Sequence, residues 1–293
     1  MTGTKKSSGI YWRGREFVKL LLNQYQYLKV AILRLAGVVD FPVPPNSNMR
    51  RTSGATIKNY FAAALTTYTP VVTMARFYGV KFDSSTKVLD FGCGAGAQLM
   101  PMTRHFPDAQ FFAVDVDPSS IEFVRKSYPK VDAYTSSFMP PLKFADGEMD
   151  LVYSASTFSH FDLPTQRAWL KELFRITKPG GLVLPTMDGS RSLALYFSKV
   201  SRTDKKEVEE KLRQEGIFYK EYEWLKELQK RGPALNAKVD MSSYFGDSYG
   251  NTVMTPEFVR KNWPAAGFEV LGIAEGVSGG VQDLIVLRRP ATS

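Results

Sequence analysis

The chain has 293 residues, of which 44% are hydrophobic, and a formal net charge of +9 at pH 7. This length and apolar content support a substantial core, which excludes a disordered protein and favours one α/β domain with additions over two equal domains. The single cysteine, Cys93, excludes an internal disulfide, and because a secretory signal and a membrane-spanning apolar run are both missing from the sequence, we expect a cytoplasmic protein.

The first predicted element is an amphipathic helix within a basic N-terminal extension, residues 1–50. Residues 1–51 contain nine Lys or Arg side chains and two acidic ones, a net charge of +7. In the helix predicted over residues 15–36, most polar side chains fall within an arc of about 140°. Such a helix packs on its own domain or lies on a membrane surface. Packing is the simpler interpretation, and peripheral membrane contact through residues 15–36 is the alternative.

A helix predicted over residues 57–78 precedes a regular alternation of strands and helices. The predicted strands of this alternation are KVLDFG, QFFAVDV, KVDAYTS, MDLVYSAS and GLVLPTM. The alternation requires a parallel sheet with helices on both faces, which is a doubly wound α/β fold. A charged helical insertion follows at residues 190–246, before the last helix, TPEFVRKNWPAAG, and two closing strands. Residues 51–293 are therefore predicted to form one domain around a mostly parallel, seven-stranded Rossmann-like sheet.

The turn after the first strand, VLDFGCGAG, is rich in glycine. Gly92 and Gly94 leave open backbone where a ligand can approach without meeting a Cβ atom. Asp90 ends the first strand, where a carboxylate would repel a pyrophosphate, and Asp115 ends the next strand, where it could accept ribose hydroxyls. The pattern favours a cationic nucleoside. A nicotinamide dinucleotide stays open, because Ala97 is tolerated at the third position of the dinucleotide fingerprint.

Four segments together resemble the successive motifs of class I S-adenosylmethionine-dependent methyltransferases. They are VLDFGCGAG, AVDVDP, PPLKFADGEMDLVYSASTFSH and WLKELFRITKPGGLVL, and they cover about residues 85–186. The flanking segments resemble, more loosely, a bacterial-type branch that often accompanies glycan and natural-product pathways. The resemblance implies S-adenosyl-L-methionine as the cofactor and residues 85–186 as the cofactor-binding core.

The resemblance also implies a set of cofactor-binding residues. Asp90 would orient the turn near the amino group, Asp115 would hold the ribose, and Val116 would pack on the adenine. At Ser137 and Phe138 many relatives carry an acidic residue, so a backbone amide and the Phe138 ring would contact the adenine here. The full set is Asp90, Gly92, Cys93, Gly94, Asp115, Val116, Ser137, Phe138 and Ser154, the last facing the methionine end through its carbonyl.

The predicted acceptor side contains His160 and Asp188 as catalytic candidates. Methyl transfer is an in-line displacement, and a hydroxyl acceptor gains from a base that takes its proton. His160 follows the fourth strand at the ligand edge of the sheet, so it is either a general base or a histidine that orders its loop by bonding to the backbone. Asp188 would orient His160, bind the acceptor, or serve as a turn carboxylate. His105, which lies far from this edge, is interpreted as structural.

The leading hypothesis is methyl transfer to a hydroxyl of a small molecule, a sugar, glycan or other natural product that a lipid could carry. Residues 190–246 would form the acceptor-selecting cover. Tyr60, Tyr244 and Tyr249 belong to the core or roof the pocket, with the core favoured. The alternatives are an RNA or protein acceptor, an NAD-dependent oxidoreductase and a non-catalytic binding module. Nucleic acid is disfavoured because no aromatic and basic stacking surface is defined, and no metal is expected because no histidine pair has ligand spacing.

Overall fold

The computed structural model describes most of the chain from residue 56 onward and short stretches before it. The described residues are 25, 28–32, 41–45, 47–49, 56–197, 202–221 and 249–291. Of the helix predicted over residues 15–36, Tyr25 and residues 28–32 are helical, and the remainder lies outside the described residues. Within the described part of the chain, no helix combines the length and apolarity needed to cross a bilayer.

Nine strands form one mixed sheet. They are β1 (Lys87–Phe91), β2 (Gln110–Asp115), β3 (Asp132–Thr135), β4 (Met149–Ser154), β5 (Thr177–Asp188), β6 (Ile217–Glu221), β7 (Gly250–Met254), β8 (Glu269–Ser278) and β9 (Gln282–Arg288). Strands β1 to β5 are parallel, in the spatial order β3-β2-β1-β4-β5. Strand β9 pairs antiparallel with β5, and β8 pairs antiparallel with β9. These seven strands are the mostly parallel sheet that the alternation predicts.

Helices cover both faces of this sheet. They are α1 (Ile57–Phe77), α2 (Leu99–His105), α3 (Pro118–Ser127), α4 (Leu163–Ile176), α5 (Ser190–Phe197), α6 (Arg202–Glu215) and α7 (Pro256–Asn262). Successive side chains of a strand point to opposite faces. Val88 accordingly packs in one core with residues of α1 and α3, and Leu89 packs in the other with residues of α4 and α7. The two separate cores make the fold doubly wound.

Side-chain caps fix where the helices of the βα units begin. The Asp117 carboxylate accepts a hydrogen bond from the backbone amide of Ser119 at the start of α3, at 3.0 Å. Helix α2 begins at Leu99, after a turn over residues 94–98 that includes two of the three glycines. Pro101 therefore lies in the first turn of α2, where its missing N–H removes no helical bond. Of the two alternatives that Pro101 raises, a late start or a kink, the structure has the late start.

The insertion predicted at residues 190–246 is helical in its first part and changes to strand after Gly216. Helices α5 and α6 are followed by β6, which pairs antiparallel with β7 along its length. Phe218 packs with Val208 and Leu212 of α6, so pairing and burial override the helical preference of the charged sequence around it. Strand β7 pairs with β5 at Asp188, the last residue of β5, so the antiparallel pair of β6 and β7 joins the sheet at the carboxyl end of β5.

Candidate active site

A cleft opens at the carboxyl ends of β1, β2 and β4. Its walls are the turn after β1, the segments after β2, β3 and β4, and one side of α1. Strands β2 and β4 lie on opposite sides of β1. The cleft therefore sits where the strand order reverses, which is the position at which open α/β sheets bind ligands.

The glycine turn forms the floor of the cleft and its conformation depends on glycine. Gly92 and Gly94 have φ angles of 74° and 50°, in the left-handed region that favours glycine. A Cβ atom on Gly92 would lie 2.2 Å from Oγ1 of Thr157, so the turn also needs the missing side chain for its contact with the segment after β4. These two glycines and Cys93 line the cleft, as predicted for the cofactor-binding turn.

The backbone amides of this turn are used by the protein itself. The Gly92 and Cys93 amides donate to the carbonyl of Val114 at 2.9 and 3.0 Å, and the Gly94 amide donates to Oδ2 of Asp115 at 2.8 Å. A phosphate-binding loop needs such amides pointing at its ligand. This turn instead presents a carboxylate beside glycine backbone, which suits a ligand without phosphate.

Asp115 lies at the end of β2 and lines the cleft together with Val116. Besides the Gly94 amide, its carboxylate accepts the backbone amide of Asp117 through Oδ1 at 2.8 Å. Asp115 and Asp117 are the acidic residues among those lining the cleft, and no Lys or Arg of the described residues lines it. The cleft is thus electrostatically suited to a cation, with a carboxylate where the sequence predicts a partner for ribose.

Asp90 does not line the cleft, and this corrects the prediction that it orients the turn and shares a crevice with Asp115. Its side chain is 1% exposed and accepts a hydrogen bond from the hydroxyl of Tyr153 at 3.0 Å, while its Oδ1 has no partner. Burial raises the pKa of the Asp90 carboxyl to about 8. The alternation of β1 places Asp90 on the same face as Val88, beneath the turn, so the turn is held by Asp115 instead.

Two further predicted cofactor contacts involve the backbone at Ser137 and Ser154. Ser136 and Phe138 line the cleft, and Ser137 between them does not. Ser154 is buried with an unpartnered hydroxyl, and Ala155, the next residue, lines the cleft. Because the predicted contacts are made by a backbone amide and a carbonyl and not by these two side chains, both stay predictions.

His160 lines the cleft at the end of a short 3₁₀ turn, Phe158–His160. Its Nδ1 lies 3.0 Å from the Gly250 carbonyl, and its ring centre lies 4.9 Å from that of Tyr249. A carbonyl only accepts, so Nδ1 carries the proton and, in the neutral ring, Nε2 has the lone pair. Burial lowers the pKa of His160, against smaller opposing effects of the Gly250 bond and the Asp188 charge. The ring is therefore neutral near pH 7 and chemically able to accept a proton.

Asp188 lies beside this site but does not line the cleft, and its carboxylate makes no hydrogen bond to His160. The imidazole is oriented by the carbonyl of Gly250 on β7. Of the three roles considered for Asp188, orienting His160 by a hydrogen bond is therefore the one that the structure does not show. The Asp188 carboxylate accepts hydrogen bonds from Ser192 Oγ at 2.9 Å and Gln282 Nε2 at 3.1 Å. Its effect on His160 is electrostatic, since its negative charge raises the pKa of the imidazole.

Helix α1 forms a wall of the cleft that the sequence analysis does not predict. Ala63 and Thr67 line the cleft, and the Gln98 side chain donates to the Ala63 carbonyl at 3.3 Å. Tyr60, fully buried, donates its hydroxyl to the Ala95 carbonyl at 2.9 Å and so ties α1 to the glycine turn. The small residues Ala62, Ala63 and Ala64 in a row are the sequence signal for a wall that approaches a ligand closely.

The remaining sequence-predicted residues divide between core and cleft. Tyr60 belongs to the core, as favoured, whereas Tyr249 lines the cleft, and Tyr244 lies outside the described residues. His105 is structural as predicted, with Nδ1 bonded to the hydroxyl of Tyr68. None of the described residues of the insertion before β7 lines the cleft, so its role as an acceptor cover remains a prediction.

The strand order, the glycine turn and the carboxylate at the end of β2 define a Rossmann-like domain built to bind a nucleoside without phosphate. Residues 88–181 match the family model described as a methyltransferase domain. Among solved structures, the fold resembles a protein of Pyrococcus horikoshii, with a TM-score of 0.50, 18% identity and coverage of 75% of this chain and 87% of that one. A SAM-dependent methyltransferase from Methanosarcina mazei is similar, with a TM-score of 0.50, 13% identity and coverage of 75% and 98%.

Curated relatives agree with this class. A malonyl-[acyl-carrier protein] O-methyltransferase of Hahella chejuensis is 30% identical over 131 residues, which are 42% of this chain and 46% of the relative. A 2-methyl-6-phytyl-1,4-hydroquinone methyltransferase of Synechocystis is 28% identical over 117 residues, 39% of this chain and 36% of the relative. The chain thus spans less than half of the length of either. By motifs, family model and fold, it carries a class I S-adenosylmethionine-dependent methyltransferase domain.

Proposed function

We propose that the chain binds S-adenosyl-L-methionine in the cleft and transfers the methyl group to a hydroxyl oxygen of a small molecule. The observation that carries the proposal is the hydrogen bond between the glycine turn, at Gly94, and the carboxylate of Asp115. The backbone amides of Gly92, Cys93 and Gly94 donate hydrogen bonds to Val114 and Asp115. These three amides are therefore not available to bind a pyrophosphate. The carboxylates of Asp115 and Asp117 line the cleft, and no Lys or Arg of the described residues does. This charge pattern suits a ligand that carries a sulfonium and an ammonium group.

The residues present fit this cofactor at both of its ends. Asp115 lies where ribose hydroxyls can donate to it, and Val116 and Phe138 supply apolar surface for an adenine ring. Gly92 and Gly94 keep the floor open beneath the methionine portion. When bound, S-adenosyl-L-methionine supplies an electrophilic methyl group on a positively charged sulfur.

His160 supports a hydroxyl oxygen as the acceptor. The acceptor oxygen forms a bond to the methyl carbon while the carbon–sulfur bond breaks and its electron pair stays on sulfur. The hydroxyl proton must leave as this happens, and we propose that Nε2 of the neutral ring of His160, a residue that lines the cleft, takes it. That one of the relatives is a malonyl-[acyl-carrier protein] O-methyltransferase also supports oxygen as the acceptor atom. A sugar, glycan or natural-product hydroxyl is the finer form of the proposal.

Calorimetry separates this proposal from its alternatives. We expect micromolar binding of S-adenosyl-L-methionine and of its demethylated product, and no binding of NAD. Tight NAD binding without a response to either sulfur nucleoside would identify a dinucleotide-dependent enzyme. Incubation with methyl-labelled cofactor and three fractions, a small-molecule extract, total RNA and total protein, then locates the acceptor. Label confined to RNA or protein would overturn the small-molecule part, and cofactor binding without transfer to any fraction would favour a binding module.

We also propose that the N-terminal region contacts an anionic membrane surface, which would bring the site to lipid-carried acceptors. The support is an apolar ridge on the helical segment before α1: Tyr25, Leu28 and Ile32 are 64%, 60% and 56% exposed, while Val30 packs against the core. Residues three and four apart share one side of a helix. The net charge of +7 on residues 1–51 complements lipid phosphates around such a ridge.

Flotation of the full chain with vesicles tests this contact. We expect co-flotation with phosphatidylcholine–phosphatidylserine vesicles, less with phosphatidylcholine alone, and a loss of binding in the double variant Leu28→Ser, Ile32→Ser. Leu65→Ser is the matched control, since Leu65 on α1 is 56% exposed but lies outside the ridge. Equal flotation of the parent chain and the double variant would end the proposal.

A further inference from the structure

The side-chain amide of Gln282, the first residue of β9, lies at the centre of a hydrogen-bond network behind the cleft. Its Oε1 accepts from Ser156 Oγ at 2.7 Å and from Thr186 Oγ1 at 2.9 Å. Its Nε2 donates to Asp188 Oδ1 at 3.1 Å and to Ser159 Oγ at 3.3 Å. A primary amide offers two lone pairs and two N–H groups, so all its capacity is used. Because a carboxylate only accepts hydrogen bonds, the end of the amide that faces Asp188 must be the NH₂ group, Nε2.

One part of the network holds Ser156, a residue in the wall of the cleft. This residue lines the cleft and has φ of 63°, a left-handed conformation that is unfavourable for a residue with a Cβ atom. Its backbone amide donates to Thr186 Oγ1 at 2.8 Å, and its hydroxyl donates to Gln282. The strained backbone is thus held from both sides by groups that themselves contact each other.

The other part of the network contacts Ser159 and Asp188, which lie close to His160. Ser159, the residue before His160, accepts the backbone amide of Asp188 at 2.8 Å as well as Nε2 of Gln282. The Asp188 carboxylate is the charged group that acts on the imidazole, while the Gly250 carbonyl and the Tyr249 ring are its neutral neighbours from the β7 side. Gln282 therefore connects the carboxylate, the 3₁₀ turn that carries His160 and the strained wall at Ser156.

We propose that Gln282 is a positioning residue of the acceptor side of the site: its amide holds Ser156 in its left-handed conformation and fixes the Asp188 carboxylate where its charge acts on His160. The inference rests on the proposed function for its catalytic meaning. Gln282 does not line the cleft, so it acts through these residues. A carboxylate or an apolar side chain of similar size could not replace it, because neither accepts from two hydroxyls and donates to a carboxylate at once.

The titration of His160 measures this coupling without cofactor or acceptor. The chain has two histidines, so nitrogen-15-labelled imidazoles of the full chain give two pairs of signals, one pair per ring, and His105→Gln assigns them. In the parent chain, Asp188→Asn removes a charge that raises the pKa of His160, and we expect that pKa to fall. In a Gln282→Leu background we expect the same substitution to lower it less, because the carboxylate loses the hydrogen bond from Gln282 and keeps only the one from Ser192 Oγ.

Gln110→Leu is the control background, since the exposed Gln110 side chain donates to the Ser84 carbonyl away from the site. It should leave the full effect of Asp188→Asn. An equal fall of the His160 pKa in the parent and Gln282→Leu backgrounds would overturn the proposal. Should Gln282→Leu fail to fold, Gln282→Asn replaces it in the same cycle, because its amide is one methylene too short to bridge Ser156 and Asp188. Since no nucleoside is present, failure here is distinct from failure of S-adenosyl-L-methionine to bind in calorimetry.

Discussion

The carboxylate of Asp115, at the end of β2, accepts the backbone amide of Gly94 at 2.8 Å, so the residue that we propose as the ribose partner also holds the glycine turn. One side chain therefore couples the two halves of the cleft. Its second oxygen accepts the Asp117 amide and fixes the start of the segment that leads into α3. Substitution of Asp115 is thus expected to affect binding beyond the loss of a ribose contact.

We predict that Asp115→Ala weakens the binding of S-adenosyl-L-methionine by about 1–3 kcal/mol, or roughly 5–150-fold in Kd, because it removes an acceptor for both ligand and turn. Calorimetry on the folded variant measures the loss. Asp132→Asn is the control, because Asp132 is an exposed carboxylate at the start of β3, at the opposite edge of the sheet from the cleft. Unchanged affinity in Asp115→Ala would place the nucleoside elsewhere.

Gly92→Ala is predicted to destabilise the domain by about 1–3 kcal/mol beyond the cost of the positive φ angle, because the new Cβ would lie 2.2 Å from Thr157 Oγ1. Gly280→Ala is a matched control: its φ of 75° is nearly that of Gly92, at 74°, and no atom lies within 4 Å of an added Cβ. Chemical denaturation of both variants separates backbone strain from the clash. Equal losses would mean that Thr157 moves aside freely.

The sheet and the cleft edge were predictable because they depend on local patterns. Alternating apolar strands and amphipathic helices permit few arrangements, and the parallel order of β1 to β5 follows from them. The glycine turn and Asp115 adjoin strand ends that the sequence marks, so their places at the cleft were predictable too. The same pattern does not say which side of β1 faces the ligand. The sequence therefore predicts Asp90 near the cofactor. In the structure its side chain lies on the buried side of β1 and accepts a hydrogen bond from Tyr153.

Contacts between distant segments account for the other differences. The carbonyl that orients His160 belongs to Gly250, 90 residues further along the chain, and the amide of Gln282 is 126 residues from Ser156. Nothing in the local sequence around Gly250 or Gln282 distinguishes it from an ordinary strand residue. Gly250 lies on β7, which pairs with β6. Because β6 belongs to a charged sequence with helical preference, this strand pairing depends on the rest of the fold.

The burial of Asp90 predicts a pH dependence of stability. Its pKa is raised from 3.8 to about 8 in the folded chain, so between these values the folded state keeps a proton that the unfolded state has lost. This contribution to stability is complete below about pH 4 and is lost as pH rises toward 8. Asp90→Asn has no such proton. We therefore expect the melting temperature of Asp90→Asn, relative to the parent chain, to increase steadily from pH 5 to pH 8. A constant difference over that range, as expected for the exposed control Asp132→Asn, would show that Asp90 ionises normally in the fold.

His160→Asn distinguishes the two interpretations of the histidine, because an asparagine amide can still donate to the Gly250 carbonyl as Nδ1 does but cannot accept a proton at neutral pH. If His160 is the base, cofactor affinity should stay within about threefold while turnover on the identified hydroxyl acceptor falls about 10²–10⁴-fold. The parent enzyme should then lose activity only below pH 6.5, since burial lowers the pKa of His160 from that value and the neutral ring persists into mildly acidic solution. A variant that keeps its turnover and the parent's pH profile would leave His160 as an ordering residue of its loop, and the proton would have to leave the acceptor by another route.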